Sequence, residues 1–117
     1  MIEIELKSYG SSDYELAIWQ PGSPEDVFFV LDMGIGQKGR DGADLFYVTV
    51  ATRQALKRYR RVIGTTSQGP IVIDEFSVDE VLHRVNTIIA ACSGENWMDS
   101  VDRLRQHFDY EYADYKP

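Results

Sequence analysis

The sequence contains few of the residues from which catalytic and metal sites are most often built. Among its 117 residues there are one cysteine, Cys92, and two histidines, His83 and His107. A single cysteine excludes an internal disulfide framework and is typical of proteins from a reducing compartment. No apolar run approaches the roughly 20 residues that a membrane span requires, and the first ten residues lack the basic-then-apolar layout of a secretory signal. We therefore expect a soluble, cytoplasmic protein without a membrane partner.

Basic residues are also scarce, and they are unevenly distributed. The 19 acidic residues outnumber the 12 basic ones, which gives a net charge of −7. Residues 1–51 hold nine acids and three bases, residues 52–61 hold five bases and no acid, and residues 62–117 hold ten acids and four bases. A surface with this balance repels nucleic acid and attracts basic partners.

The length and the hydrophobic pattern predict one compact domain, residues 1–117, that contains a sheet. The segment IEIELKSY alternates between apolar and polar residues, as a half-buried strand does. DVFFVLDM and ADLFYVTVA are apolar on both faces, and because no helical pattern separates them we expect an antiparallel hairpin. PIVIDEF predicts a fourth strand. Residues 10–24 are rich in turn formers and predict a long surface loop from which Trp19 packs back as a lid.

Helical signals occupy the second half of the chain. TRQALKRYRR predicts a short helix capped by Thr52, and Ser77 with Glu80 forms a capping box. An apolar stripe then runs from Val78 to Cys92, and Gly94 is expected to end this helix. A further helix begins near Asn96, and the tail FDYEYADYKP could add a last strand. The predicted fold is α+β, a mostly antiparallel sheet of four to five strands with two long C-terminal helices on one face and a short helix between strands.

The stretch GIGQKG, residues 34–39, matches the G-x-G-x-x-G pattern of dinucleotide-binding loops. That pattern binds phosphate because a helix starts directly after it and directs its N-terminal amides at the pyrophosphate. Here a strand follows. The glycines are better explained by the positive φ angles of a hairpin connection, with Lys38, Arg40 and Asp41 at its exposed tip. We predict no nucleotide cofactor.

No pattern of catalytic or metal-binding residues stands out. Asp79 and His83 lie one helical turn apart, but no second histidine or cysteine joins them, so a solvated helix face is the favoured interpretation. His107 at the end of the last helix suits the helix dipole. Cys92 on the apolar stripe predicts an inert buried thiol, although a Cys92–His107 dyad stays open. We therefore predict a protein that is not an enzyme and holds no metal.

Two charged segments are candidates for partner binding. The first is the basic cluster Arg53, Lys57, Arg58, Arg60 and Arg61, for which a solvated face that balances nearby acids is the favoured interpretation. The second is DYEYADY, in which carboxylates alternate with tyrosines. Tyrosines supply large, rigid contact area and carboxylates speed the capture of a basic partner, so this segment is the predicted binding site. Its residues are Asp109, Tyr110, Glu111, Tyr112, Asp114 and Tyr115. The alternative is that the tyrosines pack on the sheet while the acids stay hydrated.

Three segments together resemble the immunity protein 8 family, small antidote proteins encoded beside toxins in bacterial polymorphic toxin systems. They are YELAIWQPGSPEDVFFVLDMGIGQKGRDGADLFYVTVAT, IVIDEFSVDEVLHRVNTIIAACSGENWMDSVDRL and FDYEYADY. The resemblance covers nearly the whole chain and includes a GxxW turn, Gly94 to Trp97, between the two late helices. It implies a non-enzymatic antidote that binds a cognate toxin in the producing cell.

The leading hypothesis is therefore a toxin inhibitor whose acidic and tyrosine side chains occlude the toxin, possible targets being nucleases with a basic cleft. The alternative from another class is a small regulatory or adaptor domain that binds another protein or a small ligand. An enzyme built on Cys92 and His107 is the third reading. We expect a monomer or a weak homodimer, since the IEIELKSY edge could pair two copies.

Overall fold

The computed structural model describes residues 1–58 and 68–112, and it has the α+β architecture that the sequence predicted. The five strands are β1 (Ile4–Gly10), β2 (Phe28–Gln37), β3 (Asp44–Thr52), β4 (Ile71–Ile73) and β5 (Asp109–Tyr110). The three helices are α1 (Arg53–Arg58), α2 (Val78–Ala90) and α3 (Trp97–Leu104).

The strands form one mixed, mostly antiparallel sheet in the order β1-β2-β3-β4. β2 and β3 make the predicted antiparallel hairpin, in register from Phe28 opposite Ala51 to Ile35 opposite Asp44. β4 is parallel to the end of β3, and the crossover between them contains α1. β5 pairs antiparallel with the start of β3, on the edge that β4 also uses. Both ends of β3 therefore receive a short strand from a distant part of the chain.

One face of the hairpin forms the core. Alternate residues of β2 and β3 are fully buried, as expected where successive side chains point to opposite faces of a sheet. They pack against buried residues of α2 and α3, so both late helices cover the same face. Each large apolar side chain buried in this way contributes about 1.5–3 kcal/mol. The members from these four elements are Phe29, Leu31, Met33, Ile35, Phe46, Val48, Val50, Val81, Val85, Ile89, Val101 and Leu104.

Both late helices begin at the residues that the sequence indicated. The Ser77 hydroxyl accepts a hydrogen bond from the Glu80 amide at 3.2 Å, and the Asn96 side chain accepts one from the Asp99 amide at 2.9 Å. Each contact satisfies an amide that the first turn leaves without a helical partner. At 13 residues α2 is the longest helix in the described ranges, none of which holds a helix long and apolar enough to cross a membrane.

The helices are shorter than the apolar pattern suggested. α2 ends at Ala90, before Gly94, and α3 has eight residues. Gly94 is not a helix cap; it lies in a tight turn where its amide donates to the Ser100 hydroxyl at 2.8 Å and its carbonyl accepts from the Ile2 amide at 3.0 Å. A side chain at this position would collide with the Asp99 side chain, which would have to move and give up its hydrogen bond from the Glu95 amide.

Only the end of the glycine-rich stretch belongs to the hairpin connection: residues 34–37 lie in β2, and the expected positive φ angle is found at Gly39 but not at Gly34 or Gly36. β2 continues through Gly34 and Gly36, further than the sequence suggested, and no helix follows. Gly39 and Gly42 adopt positive φ angles of 81° and 92°, which glycine tolerates best. Gly36 has a different role, because a Cβ there would collide with the backbone carbonyl of Gly42. The helix that a phosphate-binding loop requires is absent from this part of the chain.

The segment between β1 and β2, residues 11–27, has no helix or strand and is fixed by Trp19. The Trp19 ring stacks on Tyr14 at 3.8 Å between centroids and meets Phe29 and Phe76 edge-on at 5.8 and 4.6 Å. Ile18, next to it, is 73% exposed. The predicted lid is therefore a surface loop held by an aromatic anchor.

β1 is an edge strand of the sheet in the described part of the chain, and edge strands can pair two copies of a protein. Its pairing with β2 shifts register between Leu6 and Ser8, so a bulge at Lys7 interrupts the strand. Bulges and lysines at an edge are features that oppose pairing with a second copy. A monomer is therefore favoured over the weak homodimer, and both stay predictions.

The collision at Gly36 predicts a position-specific effect on stability. We expect Gly36→Ala to lower the free energy of unfolding by about 1–3 kcal/mol, because backbone would have to move to admit the methyl group. Gly22→Ala is the matched control: it has a non-positive φ and nothing within 4 Å of an added Cβ. Urea unfolding of both variants tests this, and equal midpoints would show that Gly36 is not a point of close approach.

Candidate partner-binding surface

A single carboxylate joins three distant segments at one end of the sheet. Asp44, the first residue of β3, accepts a hydrogen bond from the Tyr110 hydroxyl at 2.6 Å and another from the Trp97 indole Nε1 at 3.3 Å. Both donors reach the same oxygen, Oδ2. The hairpin, the start of α3 and the C-terminal segment are thereby held together across 53 and 66 residues of sequence.

Tyr110 connects this carboxylate to the core. In β5 it pairs with Phe46, and the two rings stack with centroids 4.8 Å apart. The Arg105 guanidinium lies 5.8 Å from the centroid of the Tyr110 ring, within cation–π range. Burial, together with the hydrogen bond to Asp44, raises the pKa of the Tyr110 phenol far above its ordinary value. The phenol therefore stays a neutral hydrogen-bond donor to Asp44.

The next two residues, Glu111 and Tyr112, lie between this aromatic contact and the protein surface. The Tyr112 ring meets Tyr110 edge-on at 5.5 Å, yet Tyr112 is 50% exposed. Its hydroxyl bonds the carboxylate of Glu111, which raises the pKa of Tyr112. The Glu111 amide donates to the Leu45 carbonyl at 3.0 Å, so the backbone here is fixed to β3. Phe46, Tyr110 and Tyr112 form a continuous aromatic column from the core to solvent.

Asp109 takes a different position from the other predicted site residues. It pairs with Tyr47, so it lies on the face of the sheet opposite Phe46 and Tyr110. Its carboxylate accepts a hydrogen bond from the Gln68 amide at 3.2 Å and is half-buried. Successive residues of a strand point to opposite faces of the sheet, so this separation of Tyr110 from Asp109 follows from their alternation in the sequence. Asp114 and Tyr115 lie outside the described residues.

The comparisons with known proteins give one result. The family model described as Immunity protein 8 matches residues 4–115. The chain belongs to the immunity protein 8 family. No curated protein and no solved structure matches it. Membership confirms the resemblance seen in the sequence, indicates an immunity protein with a toxin as its partner, and favours a non-enzymatic role.

The cysteine and histidines that were candidates for catalysis do not form a recognisable site in this structure. His83 and His107 are exposed, whereas Cys92 is buried. Burial raises the pKa of the Cys92 thiol, which disfavours a nucleophilic thiolate, and the opposing effect of Arg103 is smaller. Across residues 1–58 and 68–112, no group of three or more His, Cys, Asp or Glu side chains could hold a metal ion.

The basic helix is only partly described. The Arg53 Nε bonds Asp74 Oδ1 at 2.9 Å, and both side chains are largely exposed. This pair confirms, for Arg53, the prediction of a solvated face that balances nearby acids; such a pair adds little stability. Lys57 is exposed, while the Arg58 side chain and residues Arg60 and Arg61 lie outside the described part.

The sequence pattern does not reveal the centre of this surface. Asp44 lies near the start of the predicted strand ADLFYVTVA and Trp97 in the GxxW turn, and no local pattern places them together. One feature of the sequence does point to Asp44: it is a carboxylate at the start of the apolar run LFYVTVA. A carboxylate that is partly buried there needs a hydrogen-bond partner. The partners could not be read from it, because they are more than 50 residues away.

The raised pKa of Tyr110 predicts that the stability of the protein decreases at alkaline pH. Because the folded pKa exceeds the ordinary value of 10.0, the unfolded chain loses this proton first as the pH rises. The free energy of unfolding should therefore be unaffected below pH about 10 and fall above it. Tyr110→Phe should lower the free energy of unfolding by about 1 kcal/mol at neutral pH, because it removes the hydrogen bond to Asp44. The free energy of unfolding of this variant should also fall less steeply above pH about 10.

Absorbance at 295 nm and denaturant unfolding between pH 7 and 12 measure these two effects. Tyr9→Phe removes a phenol from β1 and serves as the control. An alkaline profile of Tyr110→Phe that coincides with those of the wild type and this control would contradict the assignment.

Proposed function

We propose that this chain binds a cognate toxin and neutralises it by covering the toxin's active surface with its C-terminal acidic-tyrosine segment, residues Asp109, Tyr110, Glu111, Tyr112, Asp114 and Tyr115. Family membership supports a toxin as the partner. The observation that carries the choice of surface is the aromatic column, which presents the exposed Tyr112 beside Glu111 on a backbone held by β3. A rigid aromatic side chain next to a carboxylate contributes to binding with little loss of conformational freedom.

The roles within the segment differ. Tyr110 positions its neighbours, since its ring packs on Phe46 and its hydroxyl bonds Asp44. Tyr112 and Glu111 are proposed to make the contact, because one is half exposed and the other carries the charge beside it. The two interpretations of the tyrosines thus apply to different residues: Tyr110 packs on the sheet, and Tyr112 remains accessible.

The charge of the chain supports a basic toxin surface as the target. With a net charge of −7, long-range attraction would speed association with a cationic protein, and the rate would fall with added salt. A nuclease with a basic cleft fits this requirement, because carboxylates of the inhibitor can occupy the positions of substrate phosphates. Close charge pairs across such interfaces can be coupled by about 1.5–7 kcal/mol.

The proposal takes residues 1–117 as a single immunity domain that acts without catalysis in the cytoplasm of the producing cell. One hydrophobic cluster, to which residues from Ile4 to Phe108 contribute, supports a single domain. Inhibition by occlusion requires only that the complex form before the toxin meets its substrate, so no cofactor or nucleic-acid contact enters the mechanism.

The function is tested by co-expressing the chain with the toxin encoded beside it. Wild-type protein should restore growth and co-purify with the toxin. If growth is not restored and no complex forms, the proposed function is wrong.

The surface is tested by two double variants. Glu111→Lys with Tyr112→Ala should weaken toxin binding by at least about tenfold, with little change in the thermal midpoint, because Tyr112 is 50% exposed and Glu111 is only partly buried. Asp109 is left intact, since its carboxylate bonds the Gln68 amide.

The matched control, Glu25→Lys with Ile18→Ala, changes an exposed acid and an exposed apolar residue in the loop 11–27. Calorimetric titration should find its affinity close to that of the wild type. The reverse result, weak binding by the control and unchanged binding by the first variant, would move the interface to that loop and leave the function standing.

A further inference from the structure

An open cleft of about 350 Å³ lies between the β2–β3 connection and the first residue of α3. It adjoins the proposed interface, because Asp44 both borders the cleft and bonds Tyr110. This volume is near the lower end of the range for ligand pockets, which suits one inserted side chain better than a cofactor. The lining residues are Gly36, Gln37, Arg40, Asp41, Gly42, Ala43, Asp44 and Trp97.

The shape of the cleft is fixed by its backbone and by Trp97. Gly36 and Gly42 present no side chain, and Gly36 leaves no room for one. The Trp97 indole is held by its hydrogen bond to Asp44, so the aromatic wall and the carboxylate keep a constant relation. A recess that is formed before the partner arrives binds with a smaller ordering cost.

The chemistry of the lining suits a guanidinium group. Among aromatic side chains, indole binds a cation most strongly. A guanidinium group also forms its strongest hydrogen bonds with a carboxylate. Both donors to Asp44 reach Oδ2, so within the described part of the chain Oδ1 keeps its capacity to accept. Asp41 adds a second carboxylate at the rim. Arginine matches this pair better than lysine, because its planar group can stack and bond at once.

One lining residue has the opposite charge. Arg40 is exposed at the hairpin tip, and its backbone, not its guanidinium, is engaged: its amide donates to the Gln37 carbonyl and its carbonyl accepts from Lys7 Nζ. Within residues 1–58 and 68–112 its guanidinium has no carboxylate within ion-pair distance. Arg40 therefore repels an incoming cation and lowers the affinity of the cleft.

We infer that this cleft receives an arginine side chain of the toxin, held between Trp97 and the carboxylates of Asp44 and Asp41. The inference rests on the proposed function, of which it names one contact. Its chemistry can nevertheless be tested without the toxin.

The first experiment uses N-acetyl-arginine-N-methylamide as the probe, with the citrulline analogue as its neutral match. In ¹⁵N-labelled protein the Trp97 indole N–H resonance should shift saturably with the arginine probe and much less with citrulline. Trp19, the only other tryptophan, is the internal control, because it packs against Phe29 and Phe76 at the other end of the hairpin. No shift at Trp97, or equal shifts with both probes, would overturn the inference.

The second experiment uses variants with opposite expected signs. Asp41→Asn should weaken binding of the arginine probe and of the toxin by about two- to fivefold, whereas Arg40→Gln should strengthen both by a similar factor, as expected for exposed charge pairs. Both side chains lie at the hairpin tip, so neither change disturbs the core. A loss of folding would weaken binding in both variants and cannot produce this pair of results.

The outcomes separate the two proposals. If the wild type restores growth and binds the toxin but neither variant changes either affinity, the cleft inference is wrong and the function stands. If the arginine probe binds as expected but the toxin does not, the cleft chemistry is supported and the proposed function is contradicted.

Discussion

Burial of one face of the β2–β3 hairpin is the constraint on which the rest of the structure depends. Phe29, Leu31, Met33 and Ile35 on β2, with the matching residues of β3, form an apolar surface that must be covered. α2 and α3 cover it, and β4 and β5 add to the edge of β3. Because α3 shares its buried core with this hairpin and β5 pairs with β3, the positions of α3 and the C-terminal segment follow from it.

Asp44 lies where that packed face meets solvent, and its hydrogen bonds fix the position of the surface residues around it. Its carboxylate is bonded by Tyr110 and Trp97, which belong to elements that touch the hairpin for apolar reasons. A partly buried carboxylate requires such donors, so it favours one arrangement of the two elements. The same requirement orients Tyr110, and through it the exposed Tyr112.

The proposed function assigns stability and binding to adjacent residues with distinct roles. The Tyr110 ring is stacked on Phe46, whereas Tyr112 is 50% exposed and Glu111 beside it is partly buried. An immunity protein that acts by occlusion needs a surface that is rigid before the toxin arrives and charged enough to attract it. In the proposed mechanism the aromatic column meets the first need, and the acidic composition meets the second.

The sequence by itself determined the family, the α+β class, the β2–β3 hairpin and the starts of both late helices. These are properties of local pattern: alternation in DVFFVLDM and ADLFYVTVA, and capping chemistry at Ser77 and Asn96. It also rejected the phosphate loop, because a strand follows GIGQKG. Only the tertiary structure decided that Asp44, Trp97 and Tyr110 meet and that a cleft opens beside Gly36. These facts depend on which distant elements share the hairpin, and periodicity carries no information on contacts more than 50 residues apart.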